Sequence, residues 1–553
     1  MLMSPPRAGS RFPYGALVPL AAATTRVFAL TLVASIAMVA NDARASDADE
    51  PLDVAEVDDA DVPADTLAAV RARGELRWGA DAQGGAPFIF QDPRDPNHII
   101  GFEVDVADAL AHKLGVRAVP VQGPWDRLIE LMARGDFDIA LNGIEVTDDK
   151  KGVCLLSTPY YVAAERLTVR KGDDKAPRSL ETVKGHAVGT LPGSLAERIL
   201  LRSQALVRTY DGGQDDIYKD LLLGRTDAVL LDDPITSYYG AIEPALEVVE
   251  GSFGEVSYAV ALRDQTMQRA VNDAFLELAS DGTLRRIYEK WGLWNAQTAK
   301  LLGDDDAIAR GVPDAWESWR ATVGTRPPFL QRVIERYPAM MPMFFKGAAL
   351  TLLVCVLAMV FAILLGLLLA VARSFGPRPV RWLATLYVEI FRGTPLLVQL
   401  TMIYFGLPEL GITLSPFWAG VIALGLNYAA AESENYRAGL LSVPASQLDA
   451  ARVLGLSTPL ALRYVVMPQA ARVALPPMTN DFIALLKDSS LVSIVTLTEL
   501  TKTYGILASS TRDHLGLGLV VACWYLLIGL PFVLLSRFVE ARLGKGSRRT
   551  GGT

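Results

Sequence analysis

The sequence predicts an α/β domain of two lobes, exported from the cytoplasm, followed by an all-α membrane domain of about five transmembrane helices. Three observations carry that expectation. Strand-like and helical segments alternate from Thr66 to about Asn295, the pattern of an α/β domain with largely parallel sheets. Uncharged apolar runs crowd the last third of the chain. Near the N-terminus, Arg7, Arg11 and Arg26 precede an uncharged stretch from Val27 to Ala40, and Ala43-Arg44-Ala45 follows with small residues at the spacing of a secretory cleavage site.

Taken in order, residues 1–45 read as a signal peptide or an uncleaved anchor. The 14 residues from Val27 to Ala40 suit a signal core and fall short of the ~20 that span a bilayer comfortably. Residues 46–65 hold nine acidic side chains and no Lys or Arg, with too little apolar surface to fold, and form a spacer. They account for the net charge of −8 almost alone. Nothing basic is clustered, so nucleic acid is not an expected partner.

Residues 66–295 form the α/β domain. Leu67–Arg71 and Val104–Leu114 have apolar residues at helical spacing, while Leu76–Ala80 and Phe137–Leu141 read as short buried strands. A segment of this length suits two lobes better than one. Residues 296–343 are a connector, whose Trp316 and Trp319 beside charged residues suit either a membrane surface or a plain linker.

Residues 344–545 are the membrane domain and 546–553 a cytoplasmic tail. Gly347 to Ala372 runs for 26 residues without a charge, enough to span. Further spans are expected around Leu383–Gly406, Phe417–Ala431, Pro476–Leu500 and Leu515–Leu535, interrupted by Glu389, Arg392, Glu432, Asp481, Lys487 and Asp488. With the N-terminal part exported, five spans put Arg373, Arg378 and Arg381, then Arg437, Arg452, Arg463 and Arg472, then Arg537, Arg542, Lys545, Arg548 and Arg549 inside. The outer segments have no basic residue between Phe405 and Trp418, and only Lys502 and Arg512 in the other. That asymmetry obeys the positive-inside rule. Of three cysteines, Cys355 and Cys523 fall in apolar runs and Cys154 stands alone in the soluble part, so neither a disulfide framework nor a cysteine metal site is expected.

Residues 447–470 read QLDAARVLGLSTPLALRYVVMPQA. Alone they could form an amphipathic helical hairpin on the membrane surface. Asp449-Ala450-Ala451, Gly455 and Pro468 resemble the EAA loop of ABC importer permeases, with Asp449 where Glu is usual. FRGTPLLVQL from Phe391, ALPPMTNDFIALLKDSSLVSIVTLTEL from Ala474, and Glu434-x-x-Arg437 ahead of Val443-Pro444 resemble the polar-amino-acid permeases of that superfamily. The resemblance covers about residues 337–543. It implies a helix, a turn and a second helix that docks on an ATPase. Small alanines would permit close approach, Gly455 the turn, and the acid a polar contact. No GxxxxGK[S/T] phosphate loop occurs, so ATP is not bound here in the P-loop manner. One permease module implies a pair, either a second copy of this chain or a different permease, with separate ABC ATPase subunits.

The exported domain resembles solute-binding proteins of family 3, for polar amino acids. The matching text is Gly101-Phe102-Glu103-Val104-Asp105, Gly135-Asp136-Phe137-Asp138, Thr147-Asp148, Ser157-Thr158-Pro159-Tyr160-Tyr161, Gly193-Ser194, Asp227-Ala228 and Asp281-Gly282-Thr283-Leu284 to Trp291-Gly292. The resemblance implies a periplasmic-binding-protein fold, two α/β lobes hinged over one small-molecule amino acid. It puts an ammonium partner at Asp232, an aromatic wall at Trp125, contacts at Asn142, Gly143 and Ser194, and an acid at Asp81. The family's carboxylate-clasping Arg falls on Lys150, which lacks the planar fork. A usual hydroxyl is replaced by Glu145, and Gly84-Gly85 stand where an aromatic is expected. Asp81, Glu145 and Asp232 against one or two lysines favour a cationic amino acid, unless Glu145 pairs with Lys150 or Lys151 and leaves the pocket neutral.

The expected protein is thus a multi-pass inner-membrane transporter subunit, with the binding domain outside and lipid around the helices. A ligand-gated channel would use the same two-lobed fold but not an EAA-type loop. Catalysis is not expected. None of His98, His112, His186 and His514 stands beside a candidate nucleophile in a recognisable motif, and no catalytic residue, metal or cofactor is assigned.

Overall fold

The computed structural model describes residues 65–543, save 211–213, 305 and 325–326. The signal or anchor, nearly all of the acidic spacer and the tail at 546–553 lie outside the described residues. The chain forms two compact units. One is Asp59–Gly347 with Thr496–Ala522; the other contains Ala348–Val495 and Cys523–Thr553.

In the first unit the strand Glu75–Ala80 buries Leu76 and Trp78 on alternate positions, the period of a packed strand. It lies parallel to both Arg117–Gln122 and Ile139–Ala140. The sheet is completed by Ala261–Leu262 and Leu155–Leu156, both in antiparallel pairings. A second sheet runs Leu246–Val248, Tyr161–Arg170, Ala228–Asp232, Ala187–Thr190, Leu206–Thr209, with Glu255–Tyr258 also on Tyr161–Arg170. Both sheets are therefore mixed, more so than the alternation of segments suggests. The chain passes between them twice, at 157–160 and at 259–260. Ser157 N donates to Val260 O at 2.9 Å and Tyr160 N to Tyr258 O at 3.0 Å, so the two crossings are joined to each other. This is the two-lobed architecture the sequence predicts.

Residues 296–324 depart from the expectation of a membrane-surface segment or plain linker. The helix Asp314–Gly324 buries Trp319, 3% exposed, against Tyr238 with ring centroids 4.7 Å apart. Trp316 packs at the edge of the same core, with the Arg320 guanidinium 5.1 Å from its ring. The tryptophans are bulky apolar bodies placed at helical spacing, and the α/β core takes them.

Among the described residues, two helices are long and apolar enough to cross a membrane, Tyr337–Phe375 and His514–Phe538. A third span results if Arg378–Gly393 and Leu396–Leu410, bent by 107°, are taken together. The helix Pro416–Leu441 covers the expected span Phe417–Ala431, whereas Met467–Asp488 meets the expected Pro476–Leu500 only as far as Asp488, after which the chain tightens into the turn Ser489–Val495. These two helices carry Glu432, Glu434 and Arg437, and Asp481, Lys487 and Asp488.

The bend at Thr394-Pro395 has a chemical cause. Pro395 has no N–H and forces Thr394 into an extended conformation, φ −113° and ψ 143°. Carbonyls freed by the break must find other donors in an apolar surrounding. Gln399 Nε2 reaches Phe391 O at 2.9 Å and Thr394 O at 3.1 Å. Asn427 Nδ2 donates to Phe391 O and to Gln399 Oε1, both at 3.1 Å. The run FRGTPLLVQL thus contains both the break and its repair. Replacing Gln399 by Leu should cost about 1–3 kcal/mol, the penalty of leaving buried polar groups unmet. Thermal unfolding of the detergent-solubilised chain checks this; an unchanged melting temperature would refute the role given to Gln399.

Candidate ligand cleft and coupling loop

The expected ligand residues follow the carboxyl ends of strands, where open α/β sheets present their loops. Asp81 follows Glu75–Ala80, Asn142 and Gly143 follow Ile139–Ala140, Ser194 follows Ala187–Thr190, and Asp232 ends Ala228–Asp232. In the first lobe they form one bonded group. Asp81 N donates to Asn142 Oδ1 at 2.9 Å, and Trp125 Nε1 to Asn142 O at 2.8 Å. The Asp81 carboxylate accepts from Gln122 Nε2 at 2.6 Å and from Gln83 N at 3.0 Å.

Glu103 lies beneath this group, fully buried. It accepts from Gly143 N at 2.7 Å and Asn142 Nδ2 at 3.2 Å, and from the Tyr160 hydroxyl. Burial pushes its carboxyl up to about 7, against those three donors. The Gly143 N–H and the Asn142 amide are therefore engaged within the protein, and Ser194 Oγ is engaged too. It donates to Leu191 O at 2.8 Å and accepts from Glu197 N at 3.2 Å, capping the helix Leu195–Arg202.

Glu145 joins the two lobes. Its Oε2 accepts from Leu195 N at 2.9 Å and stands 3.9 Å from Lys150 Nζ and 3.5 Å from Arg198 Nη2. Lys151 pairs instead with Asp148 at 3.1 Å. Lys150 Nζ is also 5.4 Å from the centroid of the Trp125 ring. Lys150 Nζ and Arg198 Nη2 are buried and make no hydrogen bond among the described residues. Burial lowers the Lys150 ammonium, Glu145 opposing it, and raises the Glu145 carboxyl, with Lys150 opposing that. Arg198, which nothing in LAERILLR marks as a site residue, also places Nη1 2.7 Å from Asp149 Oδ1.

Asp232 lies opposite Glu165 in the antiparallel pairing of Ala228–Asp232 with Tyr161–Arg170. Its carboxylate accepts from Ile235 N at 3.3 Å and from the Tyr258 hydroxyl. Burial first, then the charge of Asp233, raises Asp232 to about 7. Glu165 is buried, its Oε2 without a hydrogen bond among the described residues, and burial followed by the charges of Asp232 and Glu145 lifts it far above the carboxylate range. Two carboxylates side by side in an apolar setting hold protons that a cation can replace.

In the second unit, Asp449, Ala450 and Ala451 sit on the helix Ala445–Val453. Gly455 makes the turn with φ +86°, a conformation that strains other residues. Thr458–Ala461 follows, and Pro468 lies in the first turn of Met467–Asp488. Leu448, Ala451, Ala461 and Val466 pack the two arms together. Asp449 is exposed and 3.6 Å from Arg452. Val453 and Leu454, at the tip, are 87% and 82% exposed, an apolar pair of the kind that marks contact surfaces. Glu434 holds Arg373 at 2.5 Å and Arg437 at 3.0 Å. Glu432 is wholly buried with neither carboxylate oxygen hydrogen-bonded among the described residues, and Asp481 accepts from Asn435 at 2.7 Å.

A hinged receptor domain and a broken-helix membrane domain in one chain define a transport subunit. Residues 76–293 match the bacterial extracellular solute-binding proteins, family 3, and residues 362–545 match the binding-protein-dependent transport system inner membrane component. An L-cystine transport system permease protein of Bacillus subtilis is 37% identical over 37% of this chain and 88% of its own length. A probable glutamine permease of the same organism is 36% identical over 37% of this chain and 94% of its length. An arginine permease, again from Bacillus subtilis, is 33% identical over 36% of this chain and 93% of its length. Among solved structures, holo ArgBP from T. maritima is 29% identical, over 41% of this chain and 99% of its own, at a TM-score of 0.36. The chain belongs to the family of amino acid ABC transporter permeases, with a family 3 solute-binding domain in the same polypeptide.

The titration of Asp232 gives a signed expectation. Its usual value is 3.8 and its folded value about 7. Between these the folded chain keeps a proton that the unfolded chain has lost, so this group makes the unliganded fold less stable as pH rises through that window. A cationic ligand recruits the ionised form, so its affinity should rise with pH across about 7 and binding should release protons. Calorimetry in buffers of differing ionisation enthalpy measures both. Asp232→Asn should flatten the profile; an unchanged profile would exclude Asp232 as the titrating group.

Proposed function

We propose that this chain captures an amino acid outside the membrane, passes it inward, and couples the passage to ATP hydrolysis by separate ABC ATPase subunits docked on residues 447–470. What carries the reading is that one polypeptide holds both a cleft lined with buried, incompletely paired charges and a helical hairpin with two bare apolar residues at its tip. The hairpin's geometry supports docking: a rigid turn at Gly455 offers Val453 and Leu454 beside the acid Asp449.

Within the cleft, the α-carboxylate is held by Lys150 and Arg198, whose buried nitrogens face Glu145. The ammonium is held by Asp232 with Glu165, and Trp125 forms the wall, as the family resemblance implies. Asp81 receives the far end of the ligand. Glu145 stands 3.9 Å from Lys150 and 3.5 Å from Arg198, the pairing that neutralises its own corner of the pocket. The cationic preference for arginine, lysine or ornithine rests instead on Asp232 and Glu165, which pair with no Lys or Arg among the described residues, and on Asp81, whose ammonium neighbour Lys502 is 3.9 Å away. Two copies of the chain assemble the permease pair, in the inner membrane, with the binding domains outside. Catalysis of any covalent step is not part of the reading.

The test is uptake of labelled arginine into proteoliposomes carrying the full chain and its ATPase. Gly455→Val distorts the turn and should abolish uptake and arginine-stimulated ATP hydrolysis, while arginine still binds. Normal uptake by that variant would remove residues 447–470 from the coupling path.

A further inference from the structure

The segment 496–522 does more than link two helices. Its helix Leu500–Thr511 is capped by the Glu499 side chain, which accepts from Lys502 N at 2.8 Å. Lys502 then sends its side chain toward the first lobe, where Nζ donates to Gln83 Oε1 at 2.8 Å and stands 3.9 Å from Asp81 Oδ1. The Lys502 side chain is only 8% exposed. One turn along, Gly505 lies so close to the Gln83 amide that an added Cβ would come within 3.2 Å of it. Beyond that, Ser510 Oγ accepts from Gln91 N at 3.0 Å.

The far end of the same helix engages the second lobe. Arg512, in the left-handed region at φ +55°, places Nε 2.6 Å from Asp215 Oδ1 and its guanidinium 5.5 Å from the Tyr239 ring. His514 Nε2 stands 3.3 Å from Asp215 Oδ2. Asp215 is 2% exposed and is also paired with Lys219 at 2.7 Å. The ten-residue separation of Lys502 and Arg512 fixes the distance between these two anchors, because a helix does not stretch. Relative movement of the lobes must strain or break one anchor, and the single ammonium–carboxylate contact at 3.9 Å is weaker than the short bonds to Asp215.

We propose that Lys502 is the ligand-release residue of this transporter, a tethered ammonium that competes with the cationic end of a bound amino acid for Asp81. A lysine is suited to the role. Its ammonium is a compact point charge on a flexible stem, able to swing between Gln83 and Asp81 without the planar fit an arginine needs. Its burial beside Asp81 removes water from both, so two cations sharing one carboxylate there repel each other strongly. The proposal rests on the reading that Asp81 receives the cationic end of the ligand. Lys502 acts on release; among the described residues its side chain bonds Gln83 and approaches Asp81, with no hydrogen bond or ion pair to Lys150, Arg198, Asp232 or Glu165.

The test uses the full chain in lipid nanodiscs, with arginine as the probe, comparing wild type with Lys502→Gln and Lys502→Arg, each also in an Asp81→Asn background. Stopped-flow and calorimetry give dissociation rate and affinity, and circular dichroism with thermal melting verifies the fold. Lys502→Gln should release arginine about tenfold more slowly and bind it more tightly, the scale of one removed charge contact. Arginine-stimulated ATP hydrolysis by the partner should fall, and Lys502→Arg should retain most of the wild-type release rate. The difference should vanish with Asp81→Asn. Equal release rates, or weaker binding by folded Lys502→Gln, would overturn the proposal. A wild-type chain that binds glutamate or glutamine and no arginine would overturn the reading of Asp81, and this proposal with it.

Discussion

Removing a carboxylate from water costs several kcal/mol unless a cation or hydrogen-bond donors replace the lost solvation, and the α/β unit concentrates that problem around one cleft. Asp232 and Glu165 face each other across a strand pair, with Asp233 and Glu145 close enough to add to their repulsion. Lys150 and Arg198 answer one of the four, Glu145. Asp233 is satisfied by Ala164 N at 2.9 Å and Asn295 Nδ2 at 3.3 Å. What remains is an excess of acid between the lobes, protonated or waiting for a cation. The lobes meet where Glu145 accepts from Leu195 N and approaches Arg198, and the cationic ligand proposed above would relieve what the fold alone leaves unrelieved.

Glu103 shows the contrasting use of a buried acid. Three donors surround it, from Asn142, Gly143 and Tyr160, and its work is to fix the loop behind Asp81 and Trp125. The same chemistry recurs without charge at the broken helix, where Gln399 and Asn427 meet the carbonyls that Pro395 releases. In both places a polar side chain is retained inside because the backbone needs its hydrogen bonds. Glu432 differs, since its carboxylate has no such bond among the described residues.

Much of this was legible in the sequence. Alternating segments announced two α/β lobes, and the uncharged run from Gly347 announced the membrane domain. The FRGTPLLVQL and DAA-with-glycine text pointed to the permease family. What sequence could not reveal depends on register and packing. Glu165 becomes a neighbour of Asp232 only through strand pairing, and YVAAERLTVR by itself says nothing of its partner. Arg198 lies on a helix whose text does not mark it out, and only folding brings it to its partners, Asp149 at 2.7 Å and Glu145 at 3.5 Å. Trp319 sits among charges in sequence yet packs on Tyr238 in space. Thr394-Pro395 interrupts a segment that hydropathy alone treats as one span, because averaging over a window hides a single backbone break.

The central claim is that ligand charge is selected by the unbalanced acids of the cleft. Isothermal titration of the full chain in nanodiscs against arginine, lysine, glutamine and glutamate at pH 7.5 tests it most directly. Heat of binding with arginine or lysine and none with glutamate is the predicted result. Binding of glutamate without arginine or lysine would contradict the account.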